Sequence, residues 1–190
     1  MTTSVAQPTV SVRCVSRYRH DDILKAVSEI YVAAGGPDPH GKKILLKPNI
    51  LADIPPERAV TTHPAVFRAV AVYFQQRGAE VLAGDSPAIH NTSFNAEKCG
   101  IRGVCKELNI EWVDFSADPV RRNKFKLANV LDKVDHVVSL PKCKTHELTY
   151  FTGAVKNLFG LIPGFTKATL HARYPTGMFF PIWCWTCLRP

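Results

Sequence analysis

The segment "KILLKPN", Lys43 to Asn49, decides the fold class of this sequence. It starts with a short continuous apolar run, which is typical of a strand that is covered on both faces of a sheet. The run then changes directly to Lys47-Pro48-Asn49, a polar sequence of turn-forming residues. A buried strand that ends in this way indicates an α/β fold, in which ligands bind beyond the carboxyl ends of parallel strands.

Strand-like and helix-like patterns alternate along most of the chain. The runs with strand character are Thr9–Val15, Lys43–Leu46, Glu80–Gly84, Glu111–Phe115 and Asp135–Leu140. Helical periodicity occurs in residues 21–36 and 63–78 and, more weakly, in residues 95–109. This alternation predicts an α/β fold with a mostly parallel open sheet and helices on both faces.

The segment from Lys144 to Gly164 also has helical periodicity, with a predicted helix over residues 153–160. Its apolar residues at helical spacing are Tyr150, Phe151, Ala154, Val155, Leu158 and Phe159. Lys156 and Asn157 nevertheless lie within this run, and a lysine in an apolar segment must reach water or a negative partner. Two interpretations therefore stay open: Lys156 extends to solvent, or it belongs to a binding site for an anion.

Positive charge is concentrated toward the end of the sequence. Six basic residues and one acid, Glu147, give residues 142–190 a charge of +5, while 18 basic and 15 acidic residues give the first 141 a charge of +3. Such a distribution fits either a solvent-exposed basic face or an anion site. Because the cations are interspersed with apolar residues instead of forming a Lys/Arg-rich stripe, we predict no nucleic-acid binding.

The length of 190 residues is sufficient for one domain with a sizeable core. We predict a single α/β domain over residues 1–177, followed by an aromatic tail over residues 178–190 that has no regular period. The tail is interpreted as a truncation or a shifted reading frame, or alternatively as a segment that docks on a partner. No apolar run has the length of a membrane span and the N-terminus lacks signal-peptide character, so we predict a cytoplasmic protein without membrane contact.

Three of the predicted strands end in polar, turn-forming segments. These segments are Lys47–Asn49, Gly84–Pro87 and Pro141–His146. Because the carboxyl ends of parallel strands lie at one edge of a sheet, we expect the three segments to meet in space. Each one alone fits a simple turn equally well, and His63 in "TTHP" fits a helix cap.

At this edge we predict a binding site for a small anionic substrate. The residues predicted to bind it are Lys47, Asn49, Ser86, Lys142, Lys144, Lys156 and Asn157. His146 or His171 is predicted to transfer a proton. Asp85 is predicted to orient a histidine or to bind a cation.

The cysteines form one C-x-x-C pair, Cys184 and Cys187. A structural zinc site or a four-iron cluster needs more thiolates than one such pair supplies. The glycine-rich fingerprints of dinucleotide- and nucleotide-binding loops do not occur in the sequence. We therefore predict neither a metal nor a cofactor in this chain.

Five motifs occur in the order found in one known family. They are "LLKPNIL", "TTHP", "GDSP", "LPKCKTHELTYFTGAVKNLFGLIPG" and "KATLHARYP". Over residues 43–175 the chain resembles the domain-of-unknown-function 362 family, whose members are often labelled uncharacterised iron–sulfur centre proteins. In many members an α/β domain is followed by a ferredoxin-type segment that holds 4Fe-4S clusters. The resemblance implies a redox role through such a segment. Because the chain departs from the family pattern after about residue 175 and is expected to lack the segment, that role would require a ferredoxin-type partner or the missing C-terminal segment.

The function predicted from these observations is an enzyme-like, redox-associated domain that binds an anion. An alternative is a non-catalytic fragment or scaffold that docks on an acidic partner. A weaker alternative comes from a distant similarity to nickel-pincer lactate racemases, in which Lys156, Pro163-Gly164 and His171 occupy a comparable order.

Overall fold

This computed structural model describes residues 8–86, 92–115, 117–122, 125–146 and 150–163. Within these residues, four parallel strands form the central sheet. The strands are β1 Lys43–Pro48, β2 Glu80–Ala83, β3 Glu111–Trp112, β4 Val120–Arg122, β5 Phe125–Leu127, β6 His136–Leu140, β7 Lys144–His146 and β8 Tyr150–Thr152. The helices are α1 His20–Ala33, α2 Pro64–Gln75, α3 Thr92–Lys98, α4 Ile101–Glu107 and α5 Ala154–Leu158. The sheet order is β3-β2-β1-β6, while β4 with β5 and β7 with β8 form two antiparallel hairpins.

The two faces of β1 contact two different hydrophobic clusters. Ile44 and Leu46 pack with residues of α1, α2 and α4 on one face. Leu45 packs on the other face with Leu82, Phe115 and Leu161, near α5 and the two short 3-10 helices at 129–132 and 159–161. Since strand side chains alternate between faces, Lys47 follows Leu45 to the second face. The predicted α/β fold with a parallel sheet is confirmed.

Helix α2 begins as its sequence indicates. Pro64 occupies the first turn, where a missing N–H is tolerated, and His63 Nδ1 accepts a hydrogen bond from the Ala65 N–H at 3.1 Å. The helix is buried nearly all round, including Phe67, Tyr73 and Phe74. The capping interpretation of His63 is therefore the correct one.

The predicted first strand is wrong. Residues Thr9–Val15 form no regular element, and Val10 is 85% exposed. An alternating pattern becomes a strand only when a neighbouring strand accepts its backbone hydrogen bonds. Strands β3 and β6 occupy the two edges of the sheet, and no described strand pairs with Thr9–Val15.

The region before α5 also differs from its prediction. Residues 144–152 contain the β7–β8 hairpin instead of the start of a buried helix, and Tyr150 and Phe151 are 81% and 55% exposed. Aromatic and β-branched residues such as Phe151 and Thr152 fit a strand as well as a helix, so their helical spacing was misleading. Only residues 154–158 of the predicted 153–160 helix are α-helical.

Two smaller differences concern the sheet and its neighbouring helices. Strand β6 is half-buried at every position because it lies at the sheet edge, although its apolar sequence indicated a buried strand. The loose helix predicted within 95–109 is two helices, divided at Gly100, which has a φ of 81°.

The proposed tail, residues 178–190, lies outside the described residues, so the predicted domain boundary at 177 stays a prediction. Among the described helices, none combines the length and the hydrophobicity of a membrane span.

Candidate functional site

A cavity of about 140 Å³ lies where β1 and β2 end. Eight of the ten predicted site residues line it, namely Lys47, Asn49, Asp85, Ser86, Lys144, His146, Lys156 and Asn157. Lys142 is not part of its wall, and His171 lies outside the described residues. The expected convergence of the three strand ends is therefore present.

Lys47 is fully buried in the floor of this region. Its ammonium group donates to Asp85 Oδ1 at 2.5 Å, to Pro48 O at 3.1 Å and to Asn157 Oδ1 at 3.1 Å. These three acceptors use all three protons of the group. Burial lowers the pKa of Lys47, and the negative charge of Asp85 opposes that shift. A direct bond from Lys47 to an anion, as predicted, thus requires one of these contacts to be given up.

Asp85 has three partners of its own. Oδ1 accepts from the Ser86 N–H at 2.9 Å in addition to Lys47, and Oδ2 accepts from the Ile50 N–H at 2.8 Å. The sequence predicted that Asp85 orients a histidine or binds a cation. The cation that it contacts is the ammonium group of Lys47.

Asn157 joins α5 to the sheet. Its Nδ2 donates to Lys47 O at 3.1 Å and to Ser139 Oγ at 3.0 Å, so the side chain contacts both β1 and β6. Together with the bond from Lys47 to Oδ1, these contacts occupy the amide. This explains how a polar residue is tolerated within the apolar run, and it makes Asn157 a positioning residue for Lys47.

Gly160 covers the Lys47–Asp85 pair from the side of the 159–161 turn. A Cβ atom at this position would lie 2.5 Å from Lys47 Nζ and 2.6 Å from Lys47 Cε, and it would also overlap Asp85 Oδ1. Only glycine allows the backbone to approach the pair this closely. The glycine in "NLFG" was the sequence signal for this contact, but nothing in the sequence indicated what it touches.

Two more lysines, Lys144 and Lys156, line the cavity together with Lys47. Lys144 is half-buried, and its Nζ donates to Val60 O at 2.6 Å. Burial, followed by the positive charges of Lys156 and Lys142, lowers the pKa of Lys144. Lys142 therefore acts on the site through its charge although it does not line the cavity. The Lys156 ammonium lies 5.6 Å from the centroid of the Phe159 ring.

Thr62, in the "TTHP" motif, fixes the loop that carries Asn49. Its hydroxyl donates to Leu140 O at 2.5 Å and accepts from the Asn49 N–H at 2.8 Å, and its own N–H donates to Asn49 O at 3.0 Å. The ends of β1 and β6 are thereby tied to one side chain. Sequence reasoning missed this role because the three groups are far apart along the chain.

Thr152 was not predicted as a site residue, yet it lines the cavity and is 3% exposed. Its Oγ1 and the Oδ1 of Asn49 are buried without a hydrogen-bond partner among the described residues. In the same part of the chain, no group of three or more His, Cys, Asp or Glu side chains is arranged to hold a metal ion.

Comparisons with known proteins agree with the family resemblance of the sequence. The family model described as "Domain of unknown function (DUF362)" matches residues 44–181. A thylakoid-associated protein of Synechocystis sp. is 38% identical over 136 residues, which make up 69% of this chain and 42% of that relative's length. The chain thus spans less than half of the curated relative that it matches. No solved structure shows significant similarity. The match over most of its length establishes that the chain belongs to the DUF362 family.

Proposed function

We propose that this chain is an enzyme-like domain that binds a small anionic substrate in the cavity at the carboxyl edge of its sheet. The observation that carries the proposal is the position of Lys144, which is half-buried in the cavity wall and close enough to two other lysines for their charges to lower its pKa. Like charges that are held together away from water repel one another, and a bound anion relieves that repulsion.

The carboxylate of Asp85, which also lines the cavity, already has other partners. Asp85 forms an ion pair with Lys47 and accepts two backbone N–H groups, while no carboxylate within the described residues forms an ion pair with Lys144. Among the described residues, the negative charge of Asp85 offsets the positive charge of Lys144 only in part, because burial and the neighbouring lysines lower the pKa of Lys144 more strongly. An anion held by Lys144 and Lys156 adds to this attraction.

The proposed roles of the other residues follow from their positions. His146 lines the cavity and is the residue that we propose for proton transfer. His171 keeps the same proposed role from the sequence alone, since it lies outside the described residues. Lys47, Asp85 and Asn157 hold the strand ends in place, so we assign them to positioning of the site. Redox chemistry enters the proposal through the ferredoxin-type segment of longer family members, or through a partner that carries such a segment.

Ligand-induced stabilisation tests the proposal, because an anion that binds the folded state raises its melting temperature. Phosphate and small dicarboxylates are added at constant ionic strength to the natural chain, to Lys144→Met and to Lys25→Met. Lys25 is an exposed lysine on α1 and serves as the matched control. We expect stabilisation of the natural chain and of Lys25→Met but not of Lys144→Met. Equal stabilisation of all three proteins, or of none, would contradict the proposal.

A second candidate function is docking of an acidic partner on the β7–β8 hairpin. The observation that favours it is the exposure of Tyr150 and Phe151 beside the lysine-bearing strand β7. Exposed aromatic groups next to cations are common where proteins bind one another. Replacing both aromatics by serine separates the two functions: loss of partner capture with intact anion stabilisation supports docking as an additional role.

A further inference from the structure

We infer that the ligand of this cavity carries a hydrogen-bond donor next to its anionic group, as a small hydroxy- or amino-carboxylate does. This inference rests on the proposed anion site and names the class of molecule that fits it. Its basis is a pair of buried oxygen atoms in the cavity wall that the described residues leave without partners.

Backbone hydrogen bonds hold Asn49 in place, while its side-chain Oδ1 has no partner among the described residues. Its N–H donates to Thr62 Oγ1 at 2.8 Å, and its carbonyl oxygen accepts from the Thr62 N–H at 3.0 Å. The side-chain Oδ1 is buried in the cavity wall, and no described residue donates to it. Buried polar atoms in proteins are nearly always satisfied, so an exception in a cavity indicates a missing donor.

Thr152 lines the same cavity and also has an oxygen atom without a partner. It is 3% exposed on β8, and its hydroxyl has no hydrogen-bond partner in the described part of the chain. A valine would fill the same volume without burying an unsatisfied hydroxyl. The hydroxyl thus lowers stability in the unliganded protein, which is expected of a group that is reserved for a ligand.

The position of Thr152 relative to Lys144 sets the distance between the two parts of the ligand. Lys144 and Thr152 are directly paired residues of the β7–β8 hairpin. Directly paired residues project their side chains to the same face of a hairpin, with their Cβ atoms roughly 5 Å apart. A ligand whose anionic group contacts Lys144 therefore places its neighbouring substituents close to Thr152.

These constraints select the chemistry of the ligand. The anionic group contacts Lys144, and a hydroxyl or amino group within one or two bonds of it reaches Thr152 Oγ1 or Asn49 Oδ1. An amide oxygen only accepts, so at least one ligand group must donate. A plain dicarboxylate can contact the lysine and accept from the Thr152 hydroxyl, but it leaves Asn49 Oδ1 without a donor.

Succinate and malate test this requirement, since they differ by a single hydroxyl group and are both dianions at pH 7.5. Isothermal titration calorimetry measures the Kd of each, with both malate enantiomers, for the natural chain, Thr152→Val and Thr152→Ser. We expect malate to bind the natural chain about fivefold more tightly than succinate, the ratio that one net hydrogen bond gives. The preference should weaken in Thr152→Val, which can no longer hydrogen-bond the malate hydroxyl, and persist in Thr152→Ser.

The possible outcomes separate this inference from the proposed function. Equal Kd values for succinate and malate in the natural chain overturn the inference and leave the anion site standing. Absence of binding by both molecules contradicts the anion site itself. Without ligand, Thr152→Val should also melt at a higher temperature than the natural chain, because it removes the unsatisfied hydroxyl. A lower melting temperature together with an unchanged malate preference would assign Thr152 a purely structural role and overturn the inference.

Discussion

Lys47 Nζ lies 2.5 Å from Asp85 Oδ1, and the two side chains are only 1% and 3% exposed. Lys47 is the second-last residue of β1 and Asp85 follows β2, so this buried ion pair joins the carboxyl ends of two neighbouring strands. Removing one partner of such a pair leaves an uncompensated charge in the interior.

Lys47→Met should destabilise the fold by about 3–5 kcal/mol, since it leaves the Asp85 carboxylate buried without its cation. Urea unfolding followed by circular dichroism measures this loss. The double variant Lys47→Met/Asp85→Asn should lose less than the sum of its two single variants, because the second substitution removes the orphaned charge. Additive losses would mean that the two residues do not act as a pair.

Lys43→Met is the matched control for this experiment. Lys43 lies on the same strand and pairs with Glu80 at 2.8 Å, but the two side chains are 38% and 60% exposed. Exposed ion pairs contribute little to stability because water already solvates their charges. The unfolding midpoint of Lys43→Met should therefore stay close to that of the natural chain.

Gly160→Ala should destabilise the protein by roughly 1–3 kcal/mol, the range expected when an atom is forced into a packed site. The added methyl group would overlap both Lys47 and Asp85, which are themselves fixed by other contacts. Gly103→Ala on α4 is the control, because nothing lies within 4 Å of its future Cβ. That variant should gain up to about 1 kcal/mol from helix propensity. Differential scanning calorimetry of both variants checks the opposite signs.

The sequence was informative where local patterns decide the structure. Continuous apolar runs identified β1 and β2, and Pro64 with His63 marked the start of α2. Polar residues at the strand ends identified the cavity because parallel sheets place those ends together.

The partners within the site were not predictable, for a physical reason. Lys47 contacts Asp85 across 38 positions and Asn157 across 110, and no local periodicity encodes such pairings. The first-strand prediction failed because Thr9–Val15 has the right alternation but no described strand beside it. The hairpin at Tyr150 was missed because its aromatic residues also fit helical spacing, so tertiary contacts decided between the two.

Anion binding should weaken as the pH rises toward 10.5, the ordinary pKa of lysine. Lys144 has a lowered pKa in the folded protein, so it loses its proton, and with it its attraction for an anion, before an unfolded lysine does. In that interval the unfolded state binds more protons, and the contribution of Lys144 to the stability of the unliganded protein therefore increases with pH. Thermal unfolding with and without phosphate between pH 7 and pH 10.5 measures both trends. In Lys144→Met, the loss of phosphate stabilisation with rising pH and the gain in unliganded stability should both be smaller. If both pH dependences are unchanged in that variant, groups other than Lys144 cause them.

The last prediction concerns Lys156, for which solvent exposure and membership of the site were both open. Its ammonium lies near the Phe159 ring, its residue lines the cavity, and its charge lowers the pKa of Lys144. Lys156→Met keeps the apolar stem and removes the charge, so two effects should appear together. The pKa of Lys144 should rise toward its ordinary value, because the strongest like-charge neighbour is gone. Stabilisation by phosphate or succinate should decrease, because one of the two lysines proposed to hold the anion has lost its charge.

These two effects distinguish the alternatives for Lys156. NMR titration of the Lys144 side chain, labelled at its ε-carbon, follows the first effect, and thermal unfolding with added anion follows the second. A lysine that merely extends to solvent predicts neither change. If the pKa of Lys144 rises but anion stabilisation is unaltered, Lys156 affects the site through its charge without contacting the ligand. Removing the charge of Lys156 raises the pKa of Lys144, which by itself should strengthen anion binding at Lys144. If anion stabilisation decreases in spite of this rise, Lys156 contacts the anion directly.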